Sequence, residues 1–297
     1  MEDFSYDPLC FWPSTIVDLI FQHLTVKEMM TASLVSTSWN EYIGESRSCM
    51  KRTGVKIIGR SHFLSGREKE IVESLRSLSA SGRRYENFTH FAQRPGSGYL
   101  NSEVTNFLKS RTGKWKNVKI WSEKFSSLDD VRELWSSFNE NVESLDLRNI
   151  SIVDAQQSRQ LFIPFKRLKT LSLCNVMYDS WFLNSFGDCR QLESLEVENV
   201  NDSALIQFIG NAESLKCLTI SKVMWFDKLF DELSILPNLN IEEFKLKATH
   251  RYYPEDGSGM RRFLRVLAAK GTKITFDLPL DSDLRHENFN YPNFNIV

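Results

Sequence analysis

The chain has 297 residues, 41% of them apolar and 25% charged, with a formal net charge of −1. That length leaves room for one large domain or two smaller ones, and the near-neutral charge argues against a polybasic nucleic-acid binder or an acidic tail. No apolar run approaches the roughly 20 residues of a membrane span, and the acidic opening "MEDFSYDPLC" lacks the basic start of a secretory signal, so a cytoplasmic or nuclear location is expected.

Residues 8–50 are read as a helical module made of three short helices. Pro13 suits a first helical turn, and Ile16, Val17, Leu19, Ile20, Phe21 and Leu24 follow it closely. They occupy more than one stripe, so this helix must be buried on more than one side. "TVKE" (Thr25–Glu28) matches a capping box and opens a second helix with Met29 and Met30; "SWNE" (Ser38–Glu41) opens a third, carrying Trp39, Tyr42 and Ile43. Helices this short cannot bury all those side chains among themselves. Each large apolar side chain left in water forfeits about 1.5–3 kcal/mol, so the rest of the chain or another protein must cover the surplus.

The ordered set Pro13, Ile16, Ile20, Phe21, Leu24, Met29, Leu34, Val35 and Trp39 resembles the F-box. Trp12 stands where that family often has leucine, and "VSTSW" is small and polar where it often has cysteine and a basic residue. The resemblance implies that these residues dock on a Skp-family linker protein and, through it, on a cullin. Capping the open end of the following domain is the competing role for the same helices.

Residues 51–297 carry an internal repeat. "VESLDLRNI" begins at Val142, "LKTLSLCNV" at Leu168, "LESLEVENV" at Leu192 and "LKCLTISKV" at Leu215. "WKNVKIWSE" from Trp115 and "IEEFKLKAT" from Ile241 are weaker copies, and "YENFTHFAQ" from Tyr85 fits loosely. "GVKIIG" (Gly54–Gly59) reads as a first strand and "GTKITFDLP" (Gly271–Pro279) as a final one. The frame L-x-x-L-x-L-x-x-[IV] resembles the leucine-rich repeat. Helix signals fill the gaps: a Ser127–Asp130 cap, an Asp202 cap with an end at Gly210, a start at Asp227, and Gly271 after "GMRRFLRVLAAK". The expected fold class is therefore α/β: a short F-box-like head, then a curved leucine-rich-repeat solenoid with parallel strands inside and helices outside. Asparagine precedes the ninth frame position, at Asn149, Asn175 and Asn199. That offset predicts a turn role instead of a buried asparagine ladder. The polar tail "NYPNFNIV" offers no evident cover for the last copy.

In this frame Lys119, Trp121, Asp146, Arg148, Glu196, Glu198, Lys245 and Lys247 alternate with the inward residues and line the concave side. Up to nine strands about 4.8 Å apart give a surface of roughly 40 Å, suited to a polypeptide target. Its middle reads as acidic, with lysines to either side, which predicts a target with a basic element. Two loops, "HFAQRPGSGYLN" (His90–Asn101) and "THRYYPEDGSGMRR" (Thr249–Arg262), are further candidates for contact.

Signs of chemistry are sparse. The five cysteines form no CxxC and the five histidines no ligand-spaced pair, so no metal and no cofactor are expected and the histidines are read as surface or half-buried. "RPGSG" lacks the ending of a phosphate loop. Glu196 and Glu198, about 6.6–6.8 Å apart on one strand, are the best carboxylate pair for an enzyme, but no apolar pocket is predicted around them. No catalytic residue is assigned. The combined expectation is a substrate-recognition subunit of a Skp–cullin–F-box ubiquitin ligase; the alternative is a non-ligase interaction scaffold.

Overall fold

The computed structural model describes residues 9, 11–59, 64–80, 84–92, 102–110, 115–125, 127–138, 140–152, 165–176, 183, 186, 189–198, 202–221, 226–236, 239–247, 258–277 and 294–296. Four short helices come first: α1 (Ser14–His23), α2 (Val26–Ala32), α3 (Thr37–Glu45) and α4 (Arg47–Arg52). The sequence signals account for three of them. The fourth is capped by Ser46, whose hydroxyl accepts the Cys49 N–H. Pro13 is the N-cap of α1, one place before its first residue. The Thr25–Glu28 capping box of α2 forms with both reciprocal bonds. α3 begins earlier than "SWNE" implies. Ser36 is its cap and accepts the Trp39 N–H at 3.2 Å, while the hydroxyl of Ser38 lies 2.9 Å from that of Ser36.

From Gly54 the pattern changes to strand and helix in alternation. The strands are β1 (Gly54–Gly59), β2 (Asn87–Ala92), β3 (Asn117–Trp121), β4 (Lys124–Phe125), β5 (Ser144–Arg148), β6 (Ser151–Ile152), β7 (Thr170–Cys174), β8 (Ser194–Glu198), β9 (Cys217–Ser221), β10 (Glu243–Lys247), β11 (Lys273–Asp277) and β12 (Phe294–Ile296). The intervening helices are α5 (Leu64–Ala80), α6 (Ser102–Ser110), α7 (Leu128–Ser137), α8 (Asp202–Asn211), α9 (Phe226–Ser234) and α10 (Ser258–Ala269). Ten strands make one sheet in sequence order, with β4 and β6 set apart as a small pair. Every ladder is parallel. This order is consistent with a repeat region. It exceeds the anticipated strands by one, because β12 pairs with β11, which the tail was expected to leave uncovered, and becomes the outermost strand itself.

The repeat frame explains the packing. Leu145, Leu147, Leu171, Leu173, Leu195, Val197, Leu218, Ile220, Phe244 and Leu246 are all buried in one core, with Phe107, Leu134, Phe208, Leu229 and Phe263 of the helices against them. Entry to each strand is fixed by a shared carbonyl: Lys116 O, Glu143 O, Lys169 O, Glu193 O and Lys216 O each accept two successive N–H groups from the next copy at 2.8–3.0 Å. Exit is fixed by the offset asparagines. Asn149 and Asn175 adopt left-handed backbone (φ 53° and 52°), which asparagine tolerates better than most residues. That turn sends Ile150 and Val176 into the core, while the asparagines stay exposed and bond to each other, Asn175 Nδ2 donating to Asn149 Oδ1 at 2.7 Å. Asn199 lies outside the described residues. Gly271 (φ 78°) closes α10 as expected, and the Ser127–Asp130 box caps α7.

One histidine departs from the surface role expected of it. His90 is fully buried, and its Nε2 lies 2.7 Å from the buried carboxylate of Glu123.

Head and sheet meet at a polar junction. The Asn87 amide donates to the carbonyls of Met50, Lys51 and Thr53 at 3.2, 2.9 and 2.8 Å, and accepts from Asn117 Nδ2 at 2.7 Å. Gly54 faces it so closely that an added Cβ would meet Asn87 Cβ at 2.8 Å. Arg52 donates from the same turn to the carbonyls of Phe21, Gln22 and Leu24, placing a cation at the negative end of α1.

Candidate functional site

The head has a small core of its own: Val17, Phe21, Met29, Ala32, Ile43 and Cys49, with Leu24, Trp39 and Tyr42 packed against it. Phe21 stacks on Tyr42 and meets Trp39 edge-on, each at 5.6 Å between centroids. Asp18 ties the helices together, its Oδ1 accepting from the hydroxyls of Tyr42, Ser46 and Ser48 at 2.9, 2.7 and 2.7 Å. Those bonds, Ser46 first, hold its carboxyl below its ordinary range against the opposing effect of burial.

The nine docking candidates therefore divide. Phe21 and Met29 are buried and belong to the core of the module itself. Leu24 and Trp39 are half-buried, and Pro13 is exposed. Leu34 (85% exposed) and Val35 (67%) stand out between α2 and α3. Ile16 and Ile20 are exposed on α1 together with Leu19, a spacing that puts all three on one helix face. Phe11, Trp12 and Val26 are exposed as well, and the sequence reading omitted them from the docking set. Among the described residues these side chains stay exposed, and the hydrogen bonds between sheet and head lie at the polar junction.

The second surface is the sheet face turned away from the helical core. All eight residues assigned to it lie there, but their charges do not follow the simple gradient read from the sequence. Arg148 Nε donates to Asp146 Oδ1 at 2.8 Å, and its Nη2 lies 3.9 Å from Glu196 Oε2. Lys247 crosses β9 diagonally to donate to Glu196 Oε1 at 2.8 Å, and Ser172 donates to Glu196 Oε2 at 3.0 Å. Lys245 lies 3.4 Å from Glu243. The expected acidic middle is thus largely compensated, because long basic side chains span more than one strand. Burial pushes the Glu196 carboxyl up, but Lys247, Ser172 and Arg148 outweigh it and the group ends below its ordinary range. That is the reverse of what a general acid requires. Arg148 is pushed up, first by its bond to Asp146.

Toward the head the same face becomes aromatic. The Trp121 ring carries Arg148 at 5.2 Å and Lys119 at 5.9 Å from its centroid, and meets Phe91 edge-on at 6.1 Å. Its indole N–H is buried with no hydrogen-bond partner among the described residues. Ring contacts, not a polar anchor, hold this side chain in place.

Of the two candidate loops, residues 93–101 and 249–257 lie outside the described residues. Among the described residues no cluster of three or more His, Cys, Asp or Glu could hold a metal ion, and no helix is long and apolar enough to cross a membrane. Cys49, Cys174, Cys189 and Cys217 are free thiols.

Residues 9–51 match the F-box domain, so α1 to α4 have a known counterpart. No curated protein matches the chain.

Proposed function

We propose that this chain is the substrate-recognition subunit of a Skp–cullin–F-box ubiquitin ligase, the head binding a Skp-family linker and the sheet holding a target protein. F-box domains serve as adaptors that bind such linkers, and the match at residues 9–51 carries that role to this head. The observation that carries the reading furthest is the uncovered apolar set Ile16, Leu19, Ile20, Leu34 and Val35. Five such side chains in water are a standing cost that a partner surface removes. The ordered parallel strands with a shared leucine frame support reading residues 51–297 as a leucine-rich-repeat solenoid, with the open sheet face as its target surface. The chain then performs no covalent chemistry itself.

The Asn87 junction is what a cap would make, and it favours the second role for the head, closure of the sheet's first end. Both roles coexist, since the junction and the exposed apolar residues are different parts of the module. Replacing Leu34 and Val35 together by aspartate decides between adaptor and scaffold. Both side chains are already exposed, so the melting temperature should stay within about 2 °C of the parent, in keeping with a surface effect under 0.5 kcal/mol. Co-purification with a Skp-family linker should be lost. A parent chain that binds no linker leaves the scaffold reading standing.

A further inference from the structure

We propose that the end of the open sheet face nearest the head recognises an extended acidic segment of the target protein, carrying one apolar anchor side chain. This rests on reading that face as the target surface. It reverses the charge preference inferred from sequence.

Two rows cross β1, β2 and β3 side by side. In register, Lys56 lies beside Thr89 and Thr89 beside Lys119; Ile58 lies beside Phe91 and Phe91 beside Trp121. Alternation places both rows on the open face. Lys56 and Lys119 are exposed, and neither makes an ion pair among the described residues. Asp146, opposite Lys119 in register, has its carboxylate engaged by Arg148. The local surface therefore offers two uncommitted cations, Lys56 and Lys119, beside an Arg148–Asp146 pair that is already closed. Farther along the sheet, Glu196 and Glu243 already have lysine partners, whereas the lysines at this end keep their charge available.

The apolar row supplies the second half of the site. Ile58 is 45% exposed, and Phe91 and Trp121 are half-buried with their rings in contact. The two rows are two residues apart, about 6.6–6.8 Å. An extended peptide repeats its side chains on one side at about that interval, so an acid at one position and an apolar residue two places on meet both rows at once. Lysines roughly 9–10 Å apart across two strands act as point charges. They suit either a carboxylate or a phosphate, and the threonine hydroxyl between them can donate to the same anion.

The test is fluorescence anisotropy of labelled peptides on the full chain. Three probes share one alternating pattern: glutamate with leucine, phosphoserine with leucine, and lysine with leucine. The glutamate or the phosphoserine peptide should bind, whichever is tighter identifying the anion, and the lysine peptide should not. Lys56→Gln with Lys119→Gln should weaken binding about tenfold or more, and added salt should weaken it further. Both lysines are exposed, and circular dichroism should confirm an unchanged fold. Equal binding of the lysine peptide, no binding of any probe, or indifference to the lysine pair overturns the proposal. Trp121→Ala separates that failure from failure of the underlying reading. Binding that responds to Trp121→Ala but not to charge keeps the face as the target surface. Binding indifferent to all three positions discards both.

Discussion

In the copy that begins at Trp115, the ninth frame position holds Glu123 where other copies hold Ile150 and Val176. Ser122 takes the left-handed turn that Asn149 and Asn175 take elsewhere (φ 60°), and it sends Glu123 inward as the others send their apolar residues. In the preceding copy His90 stands at an inward leucine position. The two departures meet, Nε2 to Oε2 at 2.7 Å, while His90 Nδ1 is buried with no hydrogen-bond partner among the described residues. Replacing one partner strands the other in the core. Glu123→Leu alone should cost about 1–3 kcal/mol, the penalty for leaving a buried hydrogen-bonding group without its partner. The double change with His90→Leu should cost less than the sum of the two single changes by about 1 kcal/mol or more, read from urea unfolding. Additive costs would show that the pair is incidental. A second residue-level expectation concerns Tyr42. Burial, then its bond to Asp18, pushes the phenol up to about 12. The folded value lies above the ordinary one near 10. Its contribution to stability is therefore complete below about pH 10 and is lost as pH rises through about 12. In the ultraviolet difference spectrum between the parent and Tyr42→Phe, the phenolate signal should rise near pH 12. A midpoint near 10 would show that neither the burial of Tyr42 nor its bond to Asp18 is kept in solution. Asp18 works in the opposite sense. Its lowered value means its contribution is present above the ordinary carboxylate range and fails as pH falls beneath it.

Individual elements differ in how far local chemistry announces them. The caps at Thr25–Glu28 and Ser127–Asp130 are self-contained signals within four residues, and both form as read. α3 shows the weakness of the same signal where serines crowd. "SWNE" satisfies the pattern, but Ser36 has the extended backbone that a cap needs (φ −156°) and wins the Trp39 N–H. α5 and α6 carried no cap or frame strong enough to mark them beforehand. β12 was missed because a three-residue strand has no periodicity to detect, and only its pairing with β11 defines it. That strand also shortens the free edge of the sheet, since the outermost strand is then three residues long instead of five. Without it, β11 would present unpaired N–H and C=O groups along a free edge. Removing residues 294–297 should leave the chain folded but prone to self-association, seen as a concentration-dependent sedimentation coefficient. A truncated chain that stays monomeric at high concentration would assign edge protection to something other than β12.

At the scale of the whole molecule, the repeat frame made the sheet legible, since buried leucines at fixed intervals dictate both strand and neighbour. The module at residues 9–51 was legible too, through an ordered set of apolar positions. The balance of charge across the open face was not. Sequence position says which strand a lysine leaves from, but Lys247 ends beside Glu196 two strands away. The division of the nine candidates into buried (Phe21, Met29) and exposed (Leu34, Val35) likewise required the packed helices. The join between head and sheet was equally hidden, because Asn87 looks like any strand-end asparagine until its amide is seen bonded to three carbonyls of the turn before β1. That join matters for how a receptor of this kind would work. Two parts on a slack tether sweep a large volume, which dilutes whatever one part holds with respect to the other. A splice of several hydrogen bonds about a glycine with no room for a methyl group narrows that volume. The local concentration of a captured lysine would then be governed less by how tightly the sheet grips it than by how little the splice lets it wander.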